Sequence, residues 1–206
     1  MHILIIEDQI LFREGLKAIL TREIPNLKIT EASSYSDIQD KDFDGNYDLV
    51  LLDIGLPGKN GIEVLKLIKQ NNAQLPVLIL SMYAEDQYAF RAIRAGAAGY
   101  ATKDLPPELL VKAIQIVTRG GKYVSSSLAE KLVSQLQNNV NDLPHTLLSD
   151  REFDVLLKIA SGKTVSEIAE LLHLSPKTVS TYRSRILQKM QLKNNAELMY
   201  YATKHL

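Results

Sequence analysis

Five side chains in this sequence carry the groups that handle metal ions and small anions, and each stands where an apolar run stops. Glu7 and Asp8 follow "HILII", Asp53 closes "YDLVLLD", Ser81 closes "LPVLILS" and Lys103 closes "AGYATK". Charged groups are rarely kept beside a core unless something pairs with them or uses them. If the first and third runs are neighbouring strands, the three carboxylates converge on one pocket, repel one another and raise a pKa unless a cation neutralises them. A hard divalent ion with oxygen ligands, Mg²⁺ before others, is the simplest solution. A hydroxyl and an ammonium beside it complete a set that positions and neutralises a phosphoryl group, and a carboxylate among them can act as the nucleophile that receives it. Taken singly, an aspartate after a strand is more often a turn or helix-cap residue. Packing alone, however, does not ask for so many suitable groups at the ends of different strands.

The elements that must position these groups can be read from the alternation of patterns. Short apolar runs, "HILIIE", "LKITEA", "YDLVLLD", "LPVLILS" and "AGYATK", alternate with helical spacing over Ile10 to Leu20, a short segment near Ser36, Ile62 to Ile68, Tyr88 to Ala95 and Leu109 to Val117. Five strand-like runs, each followed by a helix-like stretch, predict an α/β domain with a doubly wound, five-stranded parallel sheet covered on both faces. Such sheets bind ligands at the carboxyl ends of their strands, where the five groups lie.

Composition narrows the classes. A chain of 206 residues, 46% hydrophobic and 23% charged, is ordinary globular material for one large or two small domains. Cysteine is absent, which excludes disulfides, zinc thiolate sites and a cysteine nucleophile. No stretch approaches the roughly 18 to 20 apolar residues of a membrane span, and "MHILIIEDQ" lacks the basic flank and cleavage region of a signal peptide. A cytoplasmic location is expected, with no membrane partner.

Beyond Gly120-Gly121 the pattern changes. "SSSLAEKLVSQLQ" is expected to start a helix with a capping box from Ser127 to Glu130, and "NNVNDLPHT" has the polar, aperiodic composition of a linker, with a boundary near residue 140. The remainder is helical throughout. Ser149 to Glu152 and Thr164 to Glu167 have capping-box spacing, and Ser175-Pro176 is a further start, giving four helices at about 150–161, 166–173, 176–190 and 195–205. The second and third, joined by a tight turn at Leu174, form a helix-turn-helix, whose second helix enters the DNA major groove. Residues 175–193 hold Lys177, Arg183, Arg185, Lys189 and Lys193 with no acid, a hint of a polyanionic partner that a solvated helix face would explain equally well on charge alone. Val179, Ile186 and Met190 share the face expected to meet the core. Lys177, Ser180, Thr181 and Ser184 share another, expected to meet base edges, with Arg183, Arg185 and Lys189 flanking it at phosphate reach. On the last helix, Leu198, Tyr201 and Ala202 suit either packing or dimerisation. His145, His173 and His205 show no metal-ligand spacing.

Residues 1 to about 121 resemble the receiver domain of bacterial two-component response regulators, matching it at Glu7-Asp8, Asp53, Pro57, Gly61, Ser81, Tyr100 and Lys103. The remainder resembles the LuxR-type domain of the NarL/FixJ class through "LSDRE", "EIA" at 167–169 and "SPKTV" at 175–179, and "KD" followed by "PPEL" fits that class too. The resemblance implies a flavodoxin-like receiver over 1–121, a linker with a helix over 122–144, and an all-α four-helix DNA-binding domain over 145–206. It further implies phosphate accepted on Asp53 from a sensor histidine kinase, Mg²⁺ held by Glu7, Asp8, Asp53 and the Gly55 carbonyl, and Lys103 and Ser81 on the phosphoryl group. Tyr100 would then report the shift of Ser81, and Lys177, Thr178, Ser180, Thr181, Tyr182, Arg183, Ser184, Arg185 and Lys189 would contact promoter DNA as a homodimer. The expected role is transcription regulation, not enzymatic catalysis beyond gain and loss of the chain's own aspartyl phosphate. Five positions depart from the usual pattern: Glu7 for aspartate, Gly55 for a larger residue, Val165-Ser166 for an Asn-Lys pair and Tyr182 for histidine. Two other readings fit the sequence less well. A phosphatase working through an aspartyl phosphate would need a second acid two residues after the nucleophile, where this chain has Gly55. An interaction adaptor with a degenerate helix-turn-helix would not need the basic third helix.

Overall fold

The apolar runs become strands β1 (His2–Ile6), β2 (Lys28–Ala32), β3 (Leu49–Asp53), β4 (Val77–Ser81) and β5 (Gly99–Thr102), all parallel, in the spatial order β2-β1-β3-β4-β5. The central strands β3 and β4 are buried at every position, which is why they read as continuous hydrophobic runs. The edge strand β2, with its mixed "KITEA", buries only Ala32. Helices α1 (Ile10–Glu23), α2 (Gly61–Asn71) and α3 (Glu85–Arg94) run between the strands, and α4 (Pro107–Thr118) follows β5. Because side chains alternate across a strand, Ile3, Ile5, Leu49, Leu51, Leu78 and Leu80 point to one face. There they pack against Leu16 and Leu20 of α1 and Ile114 and Val117 of α4. Leu4, Ile6, Val50, Leu52 and Ile79 are buried on the other face, the side of α2 and α3. Each fully buried Leu or Ile contributes about 1.5–3 kcal/mol.

The computed structural model describes residues 1–38, 47–83, 85–137 and 143–206, which fall into two units, Met1–Leu132 and Val133–Leu206. The segment expected near Ser36 is a short 3-10 turn, Ser36–Ile38; anything helical beyond it lies outside the described residues. So does part of the expected linker, residues 138–142. Among the described residues no helix is long and apolar enough to cross a membrane.

The first unit continues past Gly121. Tyr123 pairs with β5, accepting from the Tyr100 N–H and donating to the Ala98 carbonyl, both at 3.0 Å. Gly99 makes this possible, since a β-carbon there would stand 2.5 Å from the Tyr123 carbonyl oxygen. Helix α5 (Ser126–Gln137) then starts two residues earlier than expected. Its first turn is capped by Ser125, whose hydroxyl accepts from the Leu128 N–H at 3.1 Å, and not by a box from Ser127 to Glu130. The reason is tertiary: Ser125 is held by a hydrogen bond to Glu85 and by the pairing of Tyr123 just before it.

The second unit contains α6 (Asp150–Ala160), α7 (Val165–Leu172), α8 (Pro176–Lys189) and α9 (Asn195–His205). Both expected capping boxes, at Ser149 with Glu152 and at Thr164 with Glu167, are formed, and Ser175 caps α8. His173 takes the left-handed conformation, φ 52°, that ends α7 and turns the chain into α8. Phe153, Ile159, Ile168, Val179, Ile186 and Leu198 form the buried interior of this unit.

Candidate functional site

Parallel pairing of β1 with β3 sets Ile6 beside Leu52, so the residues that follow, Glu7 and Asp53, meet at the carboxyl edge. Glu7 is 2% exposed and Asp53 4%. Ligand oxygens of Glu7, Asp8 and Asp53 lie within 4.8 Å of one another. Lys103, arriving from β5, places its ammonium 2.6 Å from Glu7 Oε2 and 2.9 Å from Asp53 Oδ2. Burial, followed by the nearby Asp53 charge, raises the Glu7 pKa above the usual carboxylate range. For Lys103 burial works the other way and would lower the pKa, but the charge of Asp53 and the bond to Glu7 outweigh it and leave the ammonium favoured.

One acceptor in this pocket is unsatisfied: Asp8 Oδ1 is buried without a hydrogen-bond partner. An orphaned carboxylate oxygen beside two further carboxylates suits a hard cation, so the residues present fit Mg²⁺.

The neighbouring residues fix these groups. The Arg13 guanidinium donates from Nη1 to the Glu7 carbonyl at 2.5 Å and from Nε to Glu31 at 3.0 Å. The Gln9 N–H donates to Glu7 Oε1 at 3.0 Å. Phe12, in the first turn of α1, lays its ring under the Lys103 ammonium, 4.6 Å from nitrogen to ring centroid. After β3 the chain doubles back, with the Gly61 N–H donating to the Ile54 carbonyl at 3.0 Å and Asn60 capping α2 through the Ile62 N–H.

Ser81, fully buried at the end of β4, accepts the Tyr83 N–H at 3.1 Å. The carbonyl of the same Tyr83 accepts the phenol of Tyr100 at 2.8 Å. Burial pushes the Tyr100 phenol well above its ordinary pKa, so it stays protonated. Hydroxyl, loop backbone and aromatic ring are therefore joined in one hydrogen-bonded series starting at the pocket.

In the second unit the exposed face of α8 carries Lys177, Ser180, Thr181, Ser184 and Arg185, while Thr178, Tyr182 and Arg183 are half-buried at its sides. Val179, Ile186 and Met190 face inward, as their spacing predicts. Thr181 and Ser184 donate their hydroxyl protons back to the carbonyls of Lys177 and Ser180, at 3.0 and 3.1 Å, leaving lone pairs outward. Arg183 is held by Asn195 at 2.6 Å. Lys189 is exposed as well, and its ammonium lies 2.6 Å from Glu152 Oε2, a carboxylate that is itself buried.

Residues 3–115 match the response regulator receiver domain family and residues 146–202 the luxR family of bacterial regulatory proteins. The chain belongs to the response regulators. The chain is 34% identical to the response regulator UvrY of Escherichia coli (strain K12), over all of this chain and 94% of that one. A LuxR-family two-component response regulator from Aurantimonas sp. SI85-9A1 superposes with a TM-score of 0.59 at 30% identity, over 65% of this chain and 96% of that one. RcsB from Salmonella enterica serovar Typhimurium, solved bound to promoter rprA in the presence of phosphomimetic BeF3-, shares the fold, with a TM-score of 0.64 at 21% identity over 98% of each chain.

This response regulator thus joins a receiver to a DNA-binding domain of luxR type, the plan of a two-component transcription regulator. In its receiver the structure gathers Glu7, Asp8, Asp53 and Lys103 into one pocket, with Ser81 at the end of β4, next to β3, and Tyr100 linked to Ser81 through the backbone of Tyr83. Gly55 is exposed, and a β-carbon on it would stand 3.4 Å from Asp53 Oδ2, so the position overlooks the carboxylate. Sequence reasoning missed Phe12, Arg13 and Tyr83. Phe12 and Arg13 lie within six residues of Glu7 on the first turn of a predicted helix, the one signal that could have flagged them.

Proposed function

We propose that the chain is phosphorylated on Asp53 by a sensor histidine kinase and that this controls promoter binding by residues 145–206, reached from a receiver over 1–121 through a linker over 122–144. The observation that carries this reading is the cluster of Glu7, Asp8, Asp53 and Lys103, in which the buried Glu7 and Asp53 share one ammonium and a carboxylate oxygen of Asp8 has no partner.

In the transfer, an Asp53 carboxylate oxygen attacks phosphorus while the bond from phosphorus to the donor histidine nitrogen breaks and its electron pair stays on the imidazole. Glu7, Asp8, Asp53 and the Gly55 carbonyl would hold Mg²⁺, which when bound neutralises phosphoryl charge. Lys103 turns from the free Asp53 carboxylate to a phosphoryl oxygen. Ser81 donates its hydroxyl to another, giving up the Tyr83 N–H it now accepts, and Tyr100 follows the Tyr83 carbonyl. About two added negative charges thereby bias a loop already tied to both residues. Loss of the phosphate by hydrolysis is the only reaction the chain carries out on itself.

On DNA, Lys177, Thr178, Ser180, Thr181, Ser184 and Arg185 would meet base edges and phosphates, with Tyr182 and Arg183 beside them and Lys189 fixing the end of α8. Homodimerisation and a cytoplasmic location complete the proposal; exposed Met199 and Tyr200 on α9 offer an apolar surface for a second copy. The test is to incubate the chain with Mg²⁺ and a small acyl-phosphate donor, with Asp53→Asn as control, following mass, oligomeric state and DNA affinity together. One Asp53-dependent phosphoryl group with a change in dimerisation or DNA affinity is expected. No phosphate on the intact chain would overturn the reading.

A further inference from the structure

Lys103 is sealed from water, its side chain 1% exposed, yet an ammonium has three N–H donors to satisfy. Glu7 and Asp53 take two. A third neighbour is the face of Phe12, whose ring centroid lies 4.6 Å from Nζ. An aromatic face carries partial negative charge and attracts a desolvated cation most strongly when water is excluded, as it is here. We infer that Phe12 is a positioning residue for phosphoryl transfer, its ring forming the seat from which Lys103 reaches the phosphoryl group.

Both anionic partners of Lys103 have competing duties under the reading of Asp53 as phosphoacceptor, on which this inference rests. The Asp53 oxygen becomes an ester-like oxygen or a cation ligand, and Glu7 is wanted by the cation. The ammonium must leave two carboxylates and find a phosphoryl oxygen without drifting. Among the described residues, the ring of Phe12 is the one partner of the Lys103 ammonium that neither step removes. It is fixed in turn, because Phe12 packs against the core cluster of Ile3, Leu16 and Leu20 and sits in the first turn of α1, whose next residue, Arg13, is bonded to the Glu7 carbonyl. The same helical turn thus sets the backbone of one metal-site acid and the seat of the ammonium.

Phe12 also fills space in the core, so the experiment has to alter the charge distribution of the ring without altering its shape. In the full-length chain, Phe12 is replaced by phenylalanines carrying successively more ring fluorines, with Phe12→Tyr and Phe12→Leu alongside. Two quantities are read: the rate of Asp53 phosphorylation by a small acyl phosphate at saturating Mg²⁺, and the resonances of the Lys103 ε-methylene and ammonium. The expected result is a rate that falls stepwise with each fluorine, by about tenfold over the series, while melting temperature stays level. Phe12→Tyr should keep the wild-type rate, and Phe12→Leu should lose both the rate and the ring-current shift of Lys103. A wild-type chain that is phosphorylated normally, with rates flat across the fluorinated series, would overturn the inference alone. A wild-type chain that takes no phosphate would overturn the reading of Asp53, and this inference with it.

Discussion

Gly61 lies against the backbone of Asp53 so closely that a β-carbon on Gly61 would stand 2.2 Å from the Asp53 carbonyl oxygen and 2.6 Å from Ile54 Cα. These neighbours are backbone atoms and cannot swing aside. Gly61→Ala should therefore push the end of β3 out of place, costing about 2–4 kcal/mol and lowering phosphorylation of Asp53 together with stability. Denaturant melts and phosphate incorporation on the same preparation test this. A folded, fully phosphorylated variant would show that the turn is softer than its geometry.

Lys103→Met should keep the volume of the side chain and remove the charge that stabilises Glu7 and Asp53. Without a divalent cation the variant is expected to be less stable by about 1–3 kcal/mol, because buried carboxylates are left uncompensated. Added Mg²⁺ should recover more stability in the variant than in the parent chain, since no ammonium competes for Glu7. Melts with and without Mg²⁺ measure the difference directly.

Tyr100→Phe removes one hydrogen bond, to the carbonyl of Tyr83, and nothing of the ring. A loss of about 1 kcal/mol in stability is expected. The diagnostic effect is on coupling: phosphorylation of Asp53 should proceed at the parent rate while its influence on DNA affinity shrinks. Equal coupling in the variant and the parent would remove Tyr100 from the switch.

Glu152 gives the second unit a pH dependence. Burial would raise its pKa, but bonds from Lys189, the Ser149 N–H and the Ser149 hydroxyl hold it below its ordinary value of 4.5. A carboxylate with a depressed folded-state pKa contributes fully above the unfolded value, and the contribution is lost as pH falls through the folded one. Stability of this unit should fall on acidification below about pH 4.5, and Glu152→Gln should flatten that part of the profile. Thermal melts followed on the DNA-binding unit's helix signal across pH 3–7 would show it, at about that range.

On α8 the lysines should separate by role. Lys177→Ala and Arg185→Ala, on the exposed face, are each expected to weaken binding across all DNA sequences and to lower the salt slope by about 1. Lys189→Ala should instead destabilise the unit by about 1 kcal/mol, a small value because its ammonium is partly solvated, through loss of the bond to Glu152. A salt slope that falls equally in all three would place Lys189 on the phosphates as well.

Much of this was legible in the residues alone. The alternation of apolar runs with helical spacing determined the parallel sheet, since strands buried on both faces must be apolar throughout, and β3 and β4 are. Local chemistry determined the helix starts at Ser149, Thr164 and Ser175, because a capping hydroxyl and its backbone N–H partner are three residues apart in the chain. The same positional logic put Glu7, Asp8, Asp53, Ser81 and Lys103 at strand ends. What those groups do to one another was decided only in three dimensions. The Lys103 contacts with Glu7, Asp53 and Phe12 span up to ninety-six positions of sequence. The cap of α5 moved to Ser125 because Glu85, distant in the chain, bonds that serine and β5 pairs with Tyr123 just before it. Lys189 meets Glu152 because the packing of α6 brings a buried carboxylate within its reach. Periodicity and capping are properties of neighbouring residues and so are written locally, whereas a buried charge chooses its partner from whatever the tertiary packing delivers.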